Sequence, residues 1–212
     1  MKTQLTKLSE IELLALLSAA SVLRKEKSFN LILSFMIDKK ISVKKIYEAL
    51  LQTYLFAGFP SALISLKKFS EIANKELQYS GFDLSSYQIR GEINCRIIYG
   101  KKYDKLIENI SSFSPEMAEW LVIEGYGKVL GRKGLSLMER EVCNVSILSA
   151  MKFADQLYSH INGAFRVKTD MKLLKQIVKN LDIISSKTAS KFGNKILEQF
   201  ITNKSKKSFN KG

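Results

Sequence analysis

Apolar residues recur along this chain at intervals of three and four, the spacing that gives a helix one buried face. Leu13, Leu17 and Ala20 follow it, as do Ile46, Leu50 and Tyr54. Val142, Val145 and Leu148 repeat it further on, and so do Leu174, Ile177 and Leu181. Polar signals set the boundaries. Ser9 with Glu12 and Ser136 with Glu139 form two capping boxes, in which serine and glutamate satisfy each other's backbone amides. Ser42, Ser114 and Thr169 are expected to cap further helices. A helix is expected over Phe29–Ile37. Gly58-Phe59-Pro60 breaks the pattern, and Pro60 suits the first position of a helix running to about Tyr79, with Leu63, Leu66, Ile72 and Ala73 inside. The segment from Arg90 to Ile110 divides into two helices at Gly100, and another helix follows Ser114-Pro115. With only two prolines in 212 residues, little interrupts this series. The expected fold is all-α.

The two capping boxes lie 127 residues apart. The same offset sets Ser42 on Thr169, Ile46 on Leu173, Leu50 on Ile177 and Tyr54 on Leu181. The expectation is a duplicated helical unit within one compact domain. Residues 1–80 form the first repeat, 81–130 a connector and 131–202 the second repeat. A basic, frayed tail over 203–212 completes it. At this offset Glu141 falls on Leu14 and His160 on Leu33. The first half therefore folds with leucines where the second holds a carboxylate and an imidazole. Burying such groups costs free energy unless they are paired, which argues for a function. Gly58 and its neighbours have no counterpart in the second half, so one composite site per chain, or per pair of subunits, is expected.

Charge adds one question. The net charge is +14, which raises nucleic acid as a partner. Only six of the 34 basic residues are arginine, however, and no helix-turn-helix, zinc-finger or RNP-type pattern is present. A lysine-rich solvated surface is the expected reading, with nucleic acid unlikely. Leu13–Leu23 is too short to span a bilayer, and the acidic Glu10 and Glu12 precede it where a secretory signal would be basic. The chain is expected to be cytoplasmic, with no membrane partner.

The candidate chemistry lies between Glu141 and His160, the only histidine. Gln156 and His160 are four apart and share a helix face. Glu141, one helix earlier, reaches the same place if the two helices pair antiparallel. A carboxylate beside an imidazole is a minimal proton-transfer pair. A lone histidine can equally serve as a packing or capping residue. Cys95 and Cys143 have no short spacing and are expected to be buried free thiols. No metal site is expected. The glycines Gly125, Gly127, Gly131 and Gly134 are expected to loosen the chain, and could let backbone approach a ligand.

The runs Arg132-Lys-Gly-Leu-Ser-Leu-Met-Glu-Arg-Glu141 and Gln156-Leu-Tyr-Ser-His160-Ile-Asn-Gly-Ala164 resemble the carboxymuconolactone decarboxylase family. The segment Tyr54 to Leu66 is similar to that family's Y-A-G-x-P-x-A segment, and Arg90 to Gly100 with Trp120 to Arg132 look like its longer, two-unit branch. The resemblance implies the alkylhydroperoxidase D-like fold in duplicate, and a homo-oligomer, trimeric or hexameric. It implies cofactor-independent decarboxylation, or related proton transfer, on a small anionic lactone or carboxylate. In that reading His160 is the acid and Glu141 orients it. Arg132 and Gln156 bind substrate oxygens, and Tyr54 with Gly58 walls the pocket. The family's redox branch carries two cysteines where this chain has Phe153 and Gln156, so thiol-dependent peroxide chemistry is excluded by that route. Lys152 stands where the decarboxylase branch has arginine, and Arg166 where it has asparagine. The alternative expectation is a non-catalytic oligomeric binding or scaffold protein that keeps the fold.

Overall fold

In a computed structural model, residues 1–73, 81–184 and 186–209 are described. No strand occurs among them. After a short α1 (Lys2–Leu5), the first unit comprises α2 (Glu10–Val22), α3 (Glu26–Asp38), α4 (Val43–Leu51) and α5 (Tyr54–Ala73). The connector holds α6 (Leu84–Tyr99), α7 (Tyr103–Ser111), α8 (Pro115–Trp120) and a π-helical segment, Leu121–Val129. The second unit comprises α9 (Leu137–Met151), α10 (Ala154–Arg166), α11 (Met171–Asn180) and α12 (Lys187–Phe209).

Both capping boxes form as expected. Ser9 Oγ and Ser136 Oγ bond Glu12 and Glu139, whose carboxylates accept from the two serine amides at 2.9 and 2.7 Å. The helices they start, α2 and α9, pack on each other at the centre. The other long helices of each unit gather around this pair. One apolar core runs through both units, from Leu14 and Leu33 to Ile161 and Val178. A smaller cluster of Cys95, Ile98, Tyr103, Tyr126 and Leu130 holds the connector.

Helix starts in the two units match at close to the expected offset. α2 and α9 begin at Glu10 and Leu137, 127 residues apart. The spacing then becomes 128. Arg24 and Lys40 have positive φ in the first unit, as Lys152 and Lys168 do in the second. The five buried positions of α3 (Phe29, Ile32, Leu33, Phe35, Met36) match Leu157, His160, Ile161, Gly163 and Ala164 of α10. Five expected pairings therefore slip by one, with Ser42 now matching Asp170 and Tyr54 matching Asp182. Ile46 matches Leu174, Leu50 matches Val178, and His160 matches Ile32 instead of Leu33. The physical reason is the length of α9, which carries the second unit further before it turns at Lys152.

Other expectations are corrected. Asp170, not Thr169, caps α11, accepting from Lys172 N–H at 2.8 Å. Leu63 is 61% exposed. The expected helix after Pro60 is described only to Ala73, and its remainder to Tyr79 lies outside the described residues. Within the basic tail α12 continues to Phe209, and residues 210–212 lie outside the described residues. Gly127 serves helix packing instead of a ligand. A Cβ there would run into the Tyr87 carbonyl, and one at Gly91 would meet that of Val122, so the pair lets α6 and the π-helical segment touch. No single helix among the described residues is long and apolar enough to cross a membrane.

Candidate acid–base site at the Glu141–His160 pair

The capping box at Ser136 starts α9 so that Arg140, Glu141 and Asn144 all point into protein. α10 runs against α9 and brings His160 to the same place. His160 Nδ1 lies 2.9 Å from Glu141 Oε2, with the glutamate 1% and the histidine 11% exposed at their side chains. Asn144 Nδ2 donates to Glu141 Oε1 at 3.3 Å. A carboxylate only accepts, so Nδ1 carries the proton that faces it. The hydrogen-bond contacts of His160 among the described residues are at Nδ1, which leaves Nε2 open, and His160 lines a cleft. Gly163, one turn beyond His160, makes room for this arrangement. A Cβ there would stand 2.6 Å from Glu141 Oε2. In α3 the matching residue is Phe35, where no carboxylate has to fit.

A buried polar chain leads away from the pair. Gln52 Nε2 donates to Asn144 Oδ1 at 3.1 Å, and Arg140 donates to Gln52 Oε1 at 3.1 Å. Arg140 also meets Glu48 at 3.0 Å, both groups being almost fully enclosed. Arg132 completes the chain through Glu48 at 3.0 Å. Burial works against the charge of Arg132, but its bonds to Glu48 outweigh this and hold its pKa above the usual value. Two charges kept this far from water need such partners. The chain joins α4 of the first unit to α9 and α10 of the second.

The cleft beside His160 holds about 780 Å³. Its wall is mainly aromatic and aliphatic, with Tyr54 and Phe56 from α5, Tyr99 from α6, and Trp120 and Tyr126 from the connector. The Phe56 ring meets the His160 imidazole edge-on, with centroids 6.0 Å apart. Tyr54 donates to Glu124, and Tyr126 donates to the Tyr99 oxygen at 3.1 Å. Burial is the main force raising the pKa of all three phenols. They stay protonated donors at neutral pH.

The expected site residues divide accordingly. His160, Gln156 and Tyr54 line the cleft together, and Glu141 backs His160 from inside. Arg132 does not join them, because Glu48 engages its guanidinium. Gly58 does not wall the cleft either. It is exposed and turns the chain within α5 at φ 73°, a conformation that favours glycine. The small anionic substrate meets a further difficulty. No lysine or arginine is among the described lining residues, whose charged members are Glu124 and Asp155. Sequence reasoning missed Glu48, Gln52, Arg140, Asn144, Gly163, Tyr99 and Tyr126. Gly163 and Arg140 had a signal, since both stand in the runs that carry the family resemblance. No cluster of three His, Cys, Asp or Glu side chains among the described residues could hold a metal ion. Cys95 and Cys143 are buried free thiols, and burial pushes each up to about 12. No protein-family model matches the chain, and no curated protein matches it.

Proposed function

We propose that this chain is a carboxymuconolactone decarboxylase-like enzyme that moves a proton at carbon, with or without loss of CO2, and without a cofactor. The observation that carries the reading is the enclosed Glu141–His160 pair opening on a substrate-sized cleft. Glu141, itself held by Asn144, fixes the Nδ1 side of the imidazole, which leaves Nε2 to take or give a proton at a bound molecule. Loss of CO2 or of a proton next to a carbonyl leaves charge on the carbonyl oxygen, and a protonated tyrosine is a suitable donor to it. The composite origin supports the same reading. His160 belongs to the second expected repeat and Tyr54 and Phe56 to the first, and the connector from Tyr99 to Leu130 completes the wall of the cleft.

The test is turnover on a panel of lactones and cyclic ketones, with and without carboxylates, read as CO2 release or solvent-deuterium uptake. His160→Asn is expected to lower the rate by roughly two to four orders of magnitude. A panel member turned over equally well by the variant would sink the assignment of His160.

A second reading, a non-catalytic oligomeric scaffold, has its own support. Ile89, Ile93 and Ile97 form a stripe on α6 and are 65%, 55% and 44% exposed. A stripe of this kind suits a subunit contact, and the family resemblance carries a trimer or hexamer. Oligomerisation through α6 is compatible with either reading, so turnover decides between them.

A further inference from the structure

We propose that the cleft takes an uncharged, largely apolar carbonyl compound whose oxygen accepts a hydrogen bond from Tyr99. The proposal rests on the proton-transfer reading and replaces the anionic substrate with a neutral one.

Three observations lead to it. First, the cations near the cleft are committed elsewhere. Arg140 and Arg132 are turned to Glu48, and Lys128, outside the lining, is held by Glu124 at 3.3 Å. A carboxylate entering the cleft would lose water, find no lysine or arginine among the described residues of its wall, and face Glu124 and Asp155. An unpaired charge in such a place is strongly disfavoured. Second, the wall offers broad apolar contact, from Leu106 and Ile110 to Phe113, Met117 and Trp120. Third, one donor is left open. Tyr126 uses its proton on the Tyr99 oxygen. The Tyr99 proton has no acceptor among the described residues, and Tyr99 lines the same cleft as His160.

Together these groups perform a closed proton cycle. His160 Nε2 removes a proton from the carbon next to the carbonyl. The C–H electron pair becomes a C=C bond, and the C=O π pair moves to oxygen, where Tyr99 holds it. When the imidazolium first trades that proton with water, return of the solvent-derived proton to the same carbon completes an exchange. Return to a conjugated carbon isomerises the compound. No electron is gained or lost, so no oxidant or reductant is required.

The experiment uses indan-2-one and indane-2-carboxylate, matched in size and differing in charge. Trp120, the only tryptophan, stands in the wall of the cleft, so its fluorescence reports binding. Indan-2-one is expected to bind at least about tenfold more tightly than the carboxylate, since the latter must bury an unpaired charge. Tyr99→Phe is expected to weaken the ketone by about tenfold and to spare apolar indane. Equal or tighter binding of the carboxylate overturns the proposal, as does failure of both probes to bind. Exchange of the ketone's α-protons in D2O, followed by NMR, tests the other half. Selective ketone binding with no exchange above the buffer rate supports the neutral cleft and overturns the proton-transfer reading instead.

Discussion

The two helical units of this chain can be set side by side position by position. In the first, α2 carries Leu13, Leu14 and Leu17, and α3 carries Ile32, all enclosed in the shared core. In the second, the matching places on α9 and α10 hold Arg140, Glu141, Asn144 and His160. The helices run alike in both. A buried leucine or isoleucine contributes roughly 1.5–3 kcal/mol, and the second unit forgoes that at several places. Its polar groups are matched instead by one another, and by Glu48 and Gln52 reaching across from α4 of the first unit. Helix arrangement therefore does not require these groups. Their presence calls for another explanation, and the cleft beside His160 supplies one.

The sharpest way to break the comparison is to give the second unit the first unit's residues. The double variant Glu141→Leu, His160→Ile is expected to keep its fold, because replacing a buried polar pair by apolar groups is often neutral or stabilising by about 1–4 kcal/mol. Turnover on any substrate found for the wild type should fall by at least about a hundredfold. Thermal unfolding and activity, measured together, separate the two effects. A variant that fails to fold would show that the pair is part of the architecture.

Removing a single member of the polar chain should be worse for stability than removing the pair. Arg140→Met makes this residue resemble Leu13, but strands the enclosed Glu48 with Arg132 alone. A loss of about 3–5 kcal/mol is expected from denaturant unfolding. Leu13→Met in the first unit should cost less than about 1.5 kcal/mol, which provides the matched control.

The smallest effect concerns the capping boxes, where the two units agree. Burial raises the pKa of both Glu12 and Glu139, but hydrogen bonds outweigh it and leave each lowered. For Glu12 these come from Ser9 and Asn180, and for Glu139 from Lys45 and Ser136. A carboxylate with a depressed folded value contributes stability above its unfolded value, and loses it as pH falls through the folded one. Glu12→Gln and Glu139→Gln should each cost about 0.5–1 kcal/mol at pH 7, given their partial exposure. Chemical denaturation should show that gap closing in acid, below the usual carboxylate range. A gap that persisted there would assign the effect to packing.

Features set by neighbours along the chain are legible in the sequence itself. Both capping boxes are of this kind, as is the break at Gly58-Phe59-Pro60. The offset between units is legible only to within one residue, because the added length lies inside α9, where the apolar pattern continues without a mark. Glu141 and His160 stand out because they lie on consecutive helices. Arg132 looks like a substrate ligand because its partner, Glu48, stands 84 residues away. Glu48 itself gives no sign, since a glutamate on a lysine-flanked helix looks like surface. Tyr99 and Tyr126 become notable only once α6 and the π-helical segment are pressed together at Gly91 and Gly127.

The enclosure of α9 has a consequence for motion. Every residue from Arg140 to Ala150 is buried, so the amides behind the carboxylate are sealed on all sides. Their hydrogen exchange has to wait for cooperative opening of the whole domain, whereas α7 and α8, bordered by the exposed Phe113 and Trp120, can open in small local excursions. The rim helices are therefore expected to exchange before α9, so that admitting a molecule and holding the proton in register draw on separate parts of the stability spectrum.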